Sequence, residues 1–255
     1  MQLIFNQYLT ARDPAIEEDL KLASATGFKG CELFFDTQAK LLSSGAGLAS
    51  ERELLKELAL PAVCAGTLRW LPEHAGSEEE IFWENDKLSL LGTLFKAFRV
   101  PLCAVETYCA HDENELALYP VAATKEKLAQ ALSSYTREFT YIGFGLCPDS
   151  NPLCLINSPK VAFEIIKDCA NAKLSLILDA GMLAQDHLGE IRSLPKRAIS
   201  LVRLGADPDF NLEFMREVGK TGYDGNVSLS STLTGSGDHE ENLKEAFSLM
   251  SSALN

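Results

Sequence analysis

LSLILDAGMLAQDHLGEIRSLPKRAISLVRLGADPD, residues 174–209, decides the reading of the fold. It holds two short apolar runs, LSLILD at 174–179 and AISLVRLG at 198–205, each interrupted by one charge near its carboxyl end: Asp179 in the first, Arg203 in the second. Near-continuous apolar runs of this length read as strands buried on both faces, the kind that parallel sheets are made of. A charge inside such a strand is costly to desolvate unless it is paired or faces a solvated mouth.

Working outward, similar runs recur roughly every 25 to 35 residues. They lie at 3–8 (LIFNQY), 30–36 (GCELFFD), 61–68 (PAVCAGTL), 100–107 (VPLCAVET), 141–147 (YIGFGLC) and 225–231 (GNVSLSS), which with the first two predicts eight strands. Most of the intervening stretches carry apolar residues at helical spacing. Ser158 and Pro159 suit the N-cap and first position of a helix carrying Val161, Ile165 and Cys169. Asp238 to Glu241 has the spacing of a capping box before Leu243, Phe247, Met250 and Leu254. Eight strand–helix units without a composition break predict one domain over 1–255, a single (β/α)8 TIM barrel of α/β class. An open doubly wound sheet is the alternative, and the absence of G-x-G-x-x-G after the first strand counts against its dinucleotide-binding form.

Composition narrows the function. The chain has 255 residues, 46% hydrophobic and 23% charged, so apolar material for a large core is ample. The net charge is −13 and no Lys/Arg cluster occurs, which argues against nucleic acid and anionic membranes as partners. No segment approaches the about 20 apolar residues of a membrane span, and MQLIFNQYL has no basic start. Seven cysteines, an odd count without a C-x-x-C, suit a reduced, intracellular chain, and the expected location is cytoplasmic. Cys147 and Cys154, in CPDSNPLC, stand close enough in sequence to pair or to react, or are buried inert thiols.

Barrels carry their reactive groups at the carboxyl ends of strands. The polar residues there are Asn6, Gln7, Glu32, Asp36, Arg69, Glu106, Tyr108, Asp149, Asp179, Arg203, Ser228 and Ser230. Glu32, Asp179 and Arg203 are the informative ones, because each interrupts an otherwise apolar strand. Glu32 and Glu106 have the chemistry of a general acid and base beside a sugar carbonyl, or are solvated strand ends. Of the histidines, His74, His111, His187 and His239, none has metal-ligand spacing to another, and only His111 follows a strand closely enough to overlook the mouth. TLTGSGD at 232–238 sits where barrels often bind phosphate, although the acidic residues that follow suit simple capping.

GFKGCELFFD at 27–36, LSLILDAGML at 174–183, LPKRAISLVRLGADPD at 194–209 and GKTGYDGNVSLSS at 219–231 resemble segments of the xylose isomerase-like sugar isomerase/epimerase barrels. That resemblance implies a divalent ion held by a Glu on the fifth strand, an Asp on the sixth, a His on the seventh and a Glu on the eighth, with a further His three residues after the Asp. Asp179 keeps the aspartate; Gly145, Arg203, Ser230 and Met182 stand at the other positions. One carboxylate facing an arginine cannot hold an oxygen-loving cation, so no metal and no other cofactor is expected, and Arg203 is expected to neutralise Asp179 in the ion's place, through a bidentate pair where the geometry permits one. Glu32, Glu106, Asp179 and Arg203 are the candidate catalytic residues; Asn6, Arg69, Tyr108, His111 and Ser230 are the candidates for binding a small sugar or polyol.

Two functions follow. One is a metal-independent isomerase- or epimerase-like enzyme; the other is a non-catalytic barrel that binds carbohydrate or protein, with Met182, Phe35, Trp70 and Tyr108 plugging its mouth. The resemblance also implies a homo-oligomer. The DNA-repair branch of the superfamily, with its metal cluster and basic face, does not suit this charge distribution.

Overall fold

The structure is a computed structural model that describes residues 1–7, 16–35, 38–39, 42, 48–69, 89–119, 126, 130, 142–169, 171–230 and 239–254. Its strands are β1 (Gln2–Leu3), β2 (Phe5–Asn6), β3 (Cys31–Phe34), β4 (Ala62–Arg69), β5 (Leu102–Glu106), β6 (Gly143–Cys147), β7 (Leu174–Asp179), β8 (Ile199–Leu204) and β9 (Asn226–Leu229). All pair in parallel in the order β1-β9-β8-β7-β6-β5-β4-β3-β2. Since β1 and β2 are consecutive pieces of one stave, this order closes the sheet into a (β/α)8 TIM barrel, the predicted architecture.

The first predicted strand is thus split at Ile4. Leu3 pairs with Val227 on one side and Phe5 with Cys31 on the other, so the stave changes partner in mid-course. The Asn6 amide donates to Leu229 O at 3.1 Å and ties this seam, which gives Asn6 a structural duty.

Each strand is apolar on both faces because each face is buried. Inward, Ile4, Cys64, Leu102, Ala104, Cys147, Ile177 and Leu201 fill the barrel. Outward, a larger core lies between sheet and helices and includes Phe5, Phe144, Leu178, Val202 and Phe214.

The helices begin where the caps place them. Pro159–Cys169 opens with Ser158 Oγ accepting from Val161 N at 3.3 Å. Pro208–Lys220 has Pro at its first position and the Asp207 side chain accepting from Asp209 N and Phe210 N. The last helix runs His239–Ala253 and buries Leu243, Ala246 and Met250; Asp238, the start of the expected capping box, lies outside the described residues, as do TLTGSGD, Trp70 and His74. Among the described residues no helix is long and apolar enough to cross a membrane.

Candidate functional site at the barrel mouth

β3, β7, β8 and β9 bring four polar side chains together at their carboxyl ends. Asp179, Arg203 and Ser228 are neighbours in register across β7, β8 and β9. Glu32 reaches in from β3, two staves beyond β9. Arg203 Nε and Nη2 donate to Glu32 Oε2 at 3.2 and 2.8 Å, and Ser228 Oγ donates to Glu32 Oε1. Arg203 Nη1 lies 3.8 Å from Asp179 Oδ2. Asp179 Oδ1 accepts from Ser230 Oγ at 2.7 Å and from Gly181 N at 2.8 Å. The relative exposures of Glu32, Asp179 and Arg203 are 3%, 2% and 8%, so all three charges have left water.

The predicted meeting of Arg203 and Asp179 is therefore real, but its weights are reversed: Glu32 takes the strong bonds, and Asp179 has a looser contact instead of a bidentate pair. Burial raises the Asp179 carboxyl to about 6, against the pull of Arg203, Ser230 and the Gly181 amide. Burial also works against the Arg203 charge, but Glu32 and its other anionic neighbours outweigh it and hold the guanidinium protonated.

Gly205 sets the approach of the next loop. A Cβ there would lie 3.0 Å from Gly181 N, so only glycine lets the turns after β7 and β8 pack this tightly. The Asn211 amide grips Gly205 through N–H and C=O, both at 2.9 Å, and fixes the chain two residues beyond Arg203.

Gly145 is not at the level of this network. A Cβ on Gly145 would meet Ile177 Cγ1 at 2.5 Å, inside the packed layer below the mouth. The β6 residue beside the network is Cys147, whose thiol is pushed up to about 12 by burial and feels Arg203, Glu106, Asp179 and Glu32. Gly145→Ala should cost about 1–3 kcal/mol in urea denaturation, and Ile177→Val in the same chain should return part of it. Full stability of Gly145→Ala would show that the layer has slack.

Of the other candidates, Tyr108 is engaged outside the Arg203 network, the His111 side chain is exposed, and Glu106 lies beside Cys147. Tyr108 is buried and its hydroxyl donates to Glu115, while the His111 backbone N–H donates to the same carboxylate at 2.6 Å; Asp112 caps the short helix Glu113–Leu116. Glu106 is half-buried and sits in register between Arg69 and Cys147; Arg69 ends β4, and its side chain lies outside the described residues. Among the expected plugs, Phe35 is fully buried and Met182 half-buried. His187 pairs with Glu190 at 3.3 Å.

Two features escaped the sequence reading. Gln7, Gln38 and Glu51 form a buried hydrogen-bonded group, with Gln7 Nε2 and Gln38 Nε2 donating to Glu51 Oε1 at 2.9 and 3.0 Å; burial raises the Glu51 carboxyl. No periodicity links residues so far apart in sequence. The other is a disulfide between Cys109 and Cys154, in the loops after β5 and β6. It corrects the expectation of a fully reduced chain and gives Cys154 a different partner from Cys147, which is buried inside the barrel.

No protein-family model matches the sequence, and no curated protein matches it. Solved structures do. The chain is similar to the IolI protein with a bound zinc atom, at 15% identity and TM-score 0.82 over 100% of this chain and 98% of that one. It is similar to a xylose isomerase domain containing protein from Salmonella typhimurium LT2 at 16% identity and TM-score 0.78, over 99% and 97%. It is also similar to 3-keto-D-glucoside 4-epimerase from E. coli at 13% identity and TM-score 0.75, over 99% of each chain.

A divalent ion held as the resemblance implies does not fit the described residues of the Arg203 network. Among the described residues, the two buried carboxylates at the network, Glu32 and Asp179, are both engaged by Arg203 and by the hydroxyls of Ser228 and Ser230, and the fixed positive charge repels a cation. What the geometry and the likeness together establish is the fold: this chain is a TIM barrel, similar in fold to solved xylose isomerase-like barrels, with an arginine between two carboxylates at its mouth.

Proposed function

We propose that this barrel binds and converts a small uncharged sugar or polyol, by proton transfer of isomerase or epimerase type beside a carbonyl, with Arg203 in the role of the divalent ion. The observation that carries the reading is the guanidinium held between Glu32 and Asp179. As a proton leaves the carbon beside a carbonyl, negative charge gathers on the oxygen and needs a fixed positive partner. Arg203 supplies it without metal. Its Nη1, in the looser contact with Asp179, has the most capacity left for a substrate oxygen, while Glu32 and Ser228 keep the side chain oriented. Asp179, titrating at about 6, is mostly ionised at neutral pH and can accept the proton. The net charge of −13 and the mouth's carboxylates disfavour a phosphorylated sugar. The keto-glucoside epimerase among the similar structures favours a neutral sugar as well.

Exchange in D2O, followed by proton NMR, tests this with neutral ketoses and aldoses alongside their phosphates. Expected is loss of the C–H signal beside the carbonyl of a neutral sugar, unaffected by EDTA and lowered about 100-fold in Arg203→Lys, which keeps the charge but not the fork. Exchange abolished by EDTA would overturn the metal-free mechanism. The burial of all three charges supports a second reading, a non-catalytic carbohydrate- or protein-binding barrel. A sugar that raises the melting temperature without any exchange would decide for it.

A further inference from the structure

Cys109 and Cys154 face each other across a single antiparallel bridge between the loops that follow β5 and β6. Ala110 N donates to Leu153 O and Leu155 N to Tyr108 O, both at 3.0 Å, which makes the two cysteines a non-hydrogen-bonded pair, the arrangement that brings side chains closest. Their Cα atoms are 3.9 Å apart.

We propose that this pair is a thiol–disulfide switch: a modification site, distinct from the Arg203 network, at which a small-molecule disulfide of glutathione type closes a bond that pins two mouth loops together. Three observations select this pair. Cys109 is half-exposed and open to a reagent, whereas Cys31, Cys64, Cys103 and Cys147 are buried in the core. The turn that carries Cys154 is built without the bond, by Asn151 N on Asp149 Oδ1, Leu153 N on Asn151 Oδ1 and Cys154 N on Asn151 O, so the sulfurs stay opposed when reduced. The Asp149 carboxylate, 4.0 Å from Cys109 Sγ, disfavours a thiolate there and so withholds the stabilisation of the reduced form that makes a disulfide strongly oxidising.

The chemistry balances as two exchanges. The Cys109 sulfur, its proton lost to solvent, attacks one sulfur of the small disulfide and releases a thiolate. The Cys154 sulfur, likewise deprotonated, attacks the Cys109 sulfur of the mixed disulfide and releases the second. The protein gives up two electrons and two protons, and the small disulfide becomes two thiols.

The bond acts beyond its own loops. Ser150, on the same turn, donates from N to Met182 O at 2.9 Å and accepts from Ala184 N at its Oγ at 2.8 Å, and Met182 N donates to Asp179 O at 3.0 Å. The turn carrying Cys154 therefore braces the loop that follows Asp179.

The test equilibrates the full chain in oxidised or reduced glutathione, quenches it with N-ethylmaleimide and maps the peptides. The expected result is a linked Cys109–Cys154 peptide in the oxidised sample that is absent after reduction, with the half-exposed Cys169 labelled in both as a control. Reduction should lower the melting temperature by about 5–10 °C, and Cys109→Ser should abolish that difference. Label on both Cys109 and Cys154 after oxidation, or equal melting temperatures, would overturn the proposal. So would stoichiometric zinc in protein purified under reducing conditions and missing from Cys109→Ser, because Cys109, Asp149 and Cys154 would then be metal ligands.

Discussion

Arg203→Met should lower the unfolding free energy by about 3–5 kcal/mol at pH 7.5. Methionine fills most of the space but leaves Glu32 and Asp179 as two carboxylates buried without a cation, at 3% and 2% exposure. Removing one partner of a buried pair costs more than removing both, since the orphaned charge keeps its desolvation penalty. Adding Glu32→Gln to Arg203→Met should therefore recover part of the loss, and the double-mutant cycle should show a coupling above about 1 kcal/mol. At pH 5, where the buried Asp179 carboxyl can take up a proton, the penalty of Arg203→Met should shrink. Urea denaturation of wild type, both single variants and the double variant measures all of these quantities. If Arg203→Met falls within about 1 kcal/mol of wild type, the guanidinium does not hold the network together.

The second large effect is on pH dependence and belongs to Asp179. Burial raises its carboxyl from the ordinary 3.8 to about 6. Between these values the folded chain keeps a proton that the unfolded chain has lost, so stability falls as pH rises from about 4 to 6 and is level, as far as this group is concerned, on either side. A shift of this size corresponds to something of the order of 3 kcal/mol. Glu53, Glu115, Glu190, Glu217 and Asp224 are all lowered by hydrogen bonds and nearby charges and act in the opposite sense, since their contributions are lost as pH falls. The Asp179 contribution is therefore read as the difference between wild type and Asp179→Asn across pH 4–7. The wild-type curve should descend relative to the variant with a midpoint near pH 5. Parallel curves would mean that Asp179 titrates as an ordinary carboxyl.

The strands were legible because most are short apolar runs buried on both faces; the observed limits of β7, Leu174–Asp179, are those read from LSLILD. Asp179 and Arg203 were legible as partners because adjacent parallel strands put strand-end residues side by side. Glu32 was legible as a candidate but not as Arg203's main partner, because that contact joins residues 171 apart in sequence across the barrel interior. Gly145 was placed at the mouth when it belongs to the layer below; the period of two along a strand gives the face a residue points to but not its depth. Tyr108 and His111 follow β5 as expected, but the Glu115 carboxylate takes up the Tyr108 hydroxyl and the His111 backbone N–H. Cys109 and Cys154 meet through loop geometry, which spacing does not encode.

The partner change at Ile4 has a bearing on how this chain reaches its native state. β1 pairs with Asn226 and Val227, and Asn6 is tied to a carbonyl 223 positions away. A chain emerging from the ribosome amino end first makes the opening stave at once and its second neighbour last. Until then β3 has to shelter β2 alone, while the other border of the growing sheet stays unpaired and able to recruit foreign strands. Joining ends so remote carries a loop-closure cost that local contacts cannot offset early, so ring completion belongs to the late, slow part of folding. The same few residues that complete the cylinder thus decide how long the nascent chain is open to misassembly.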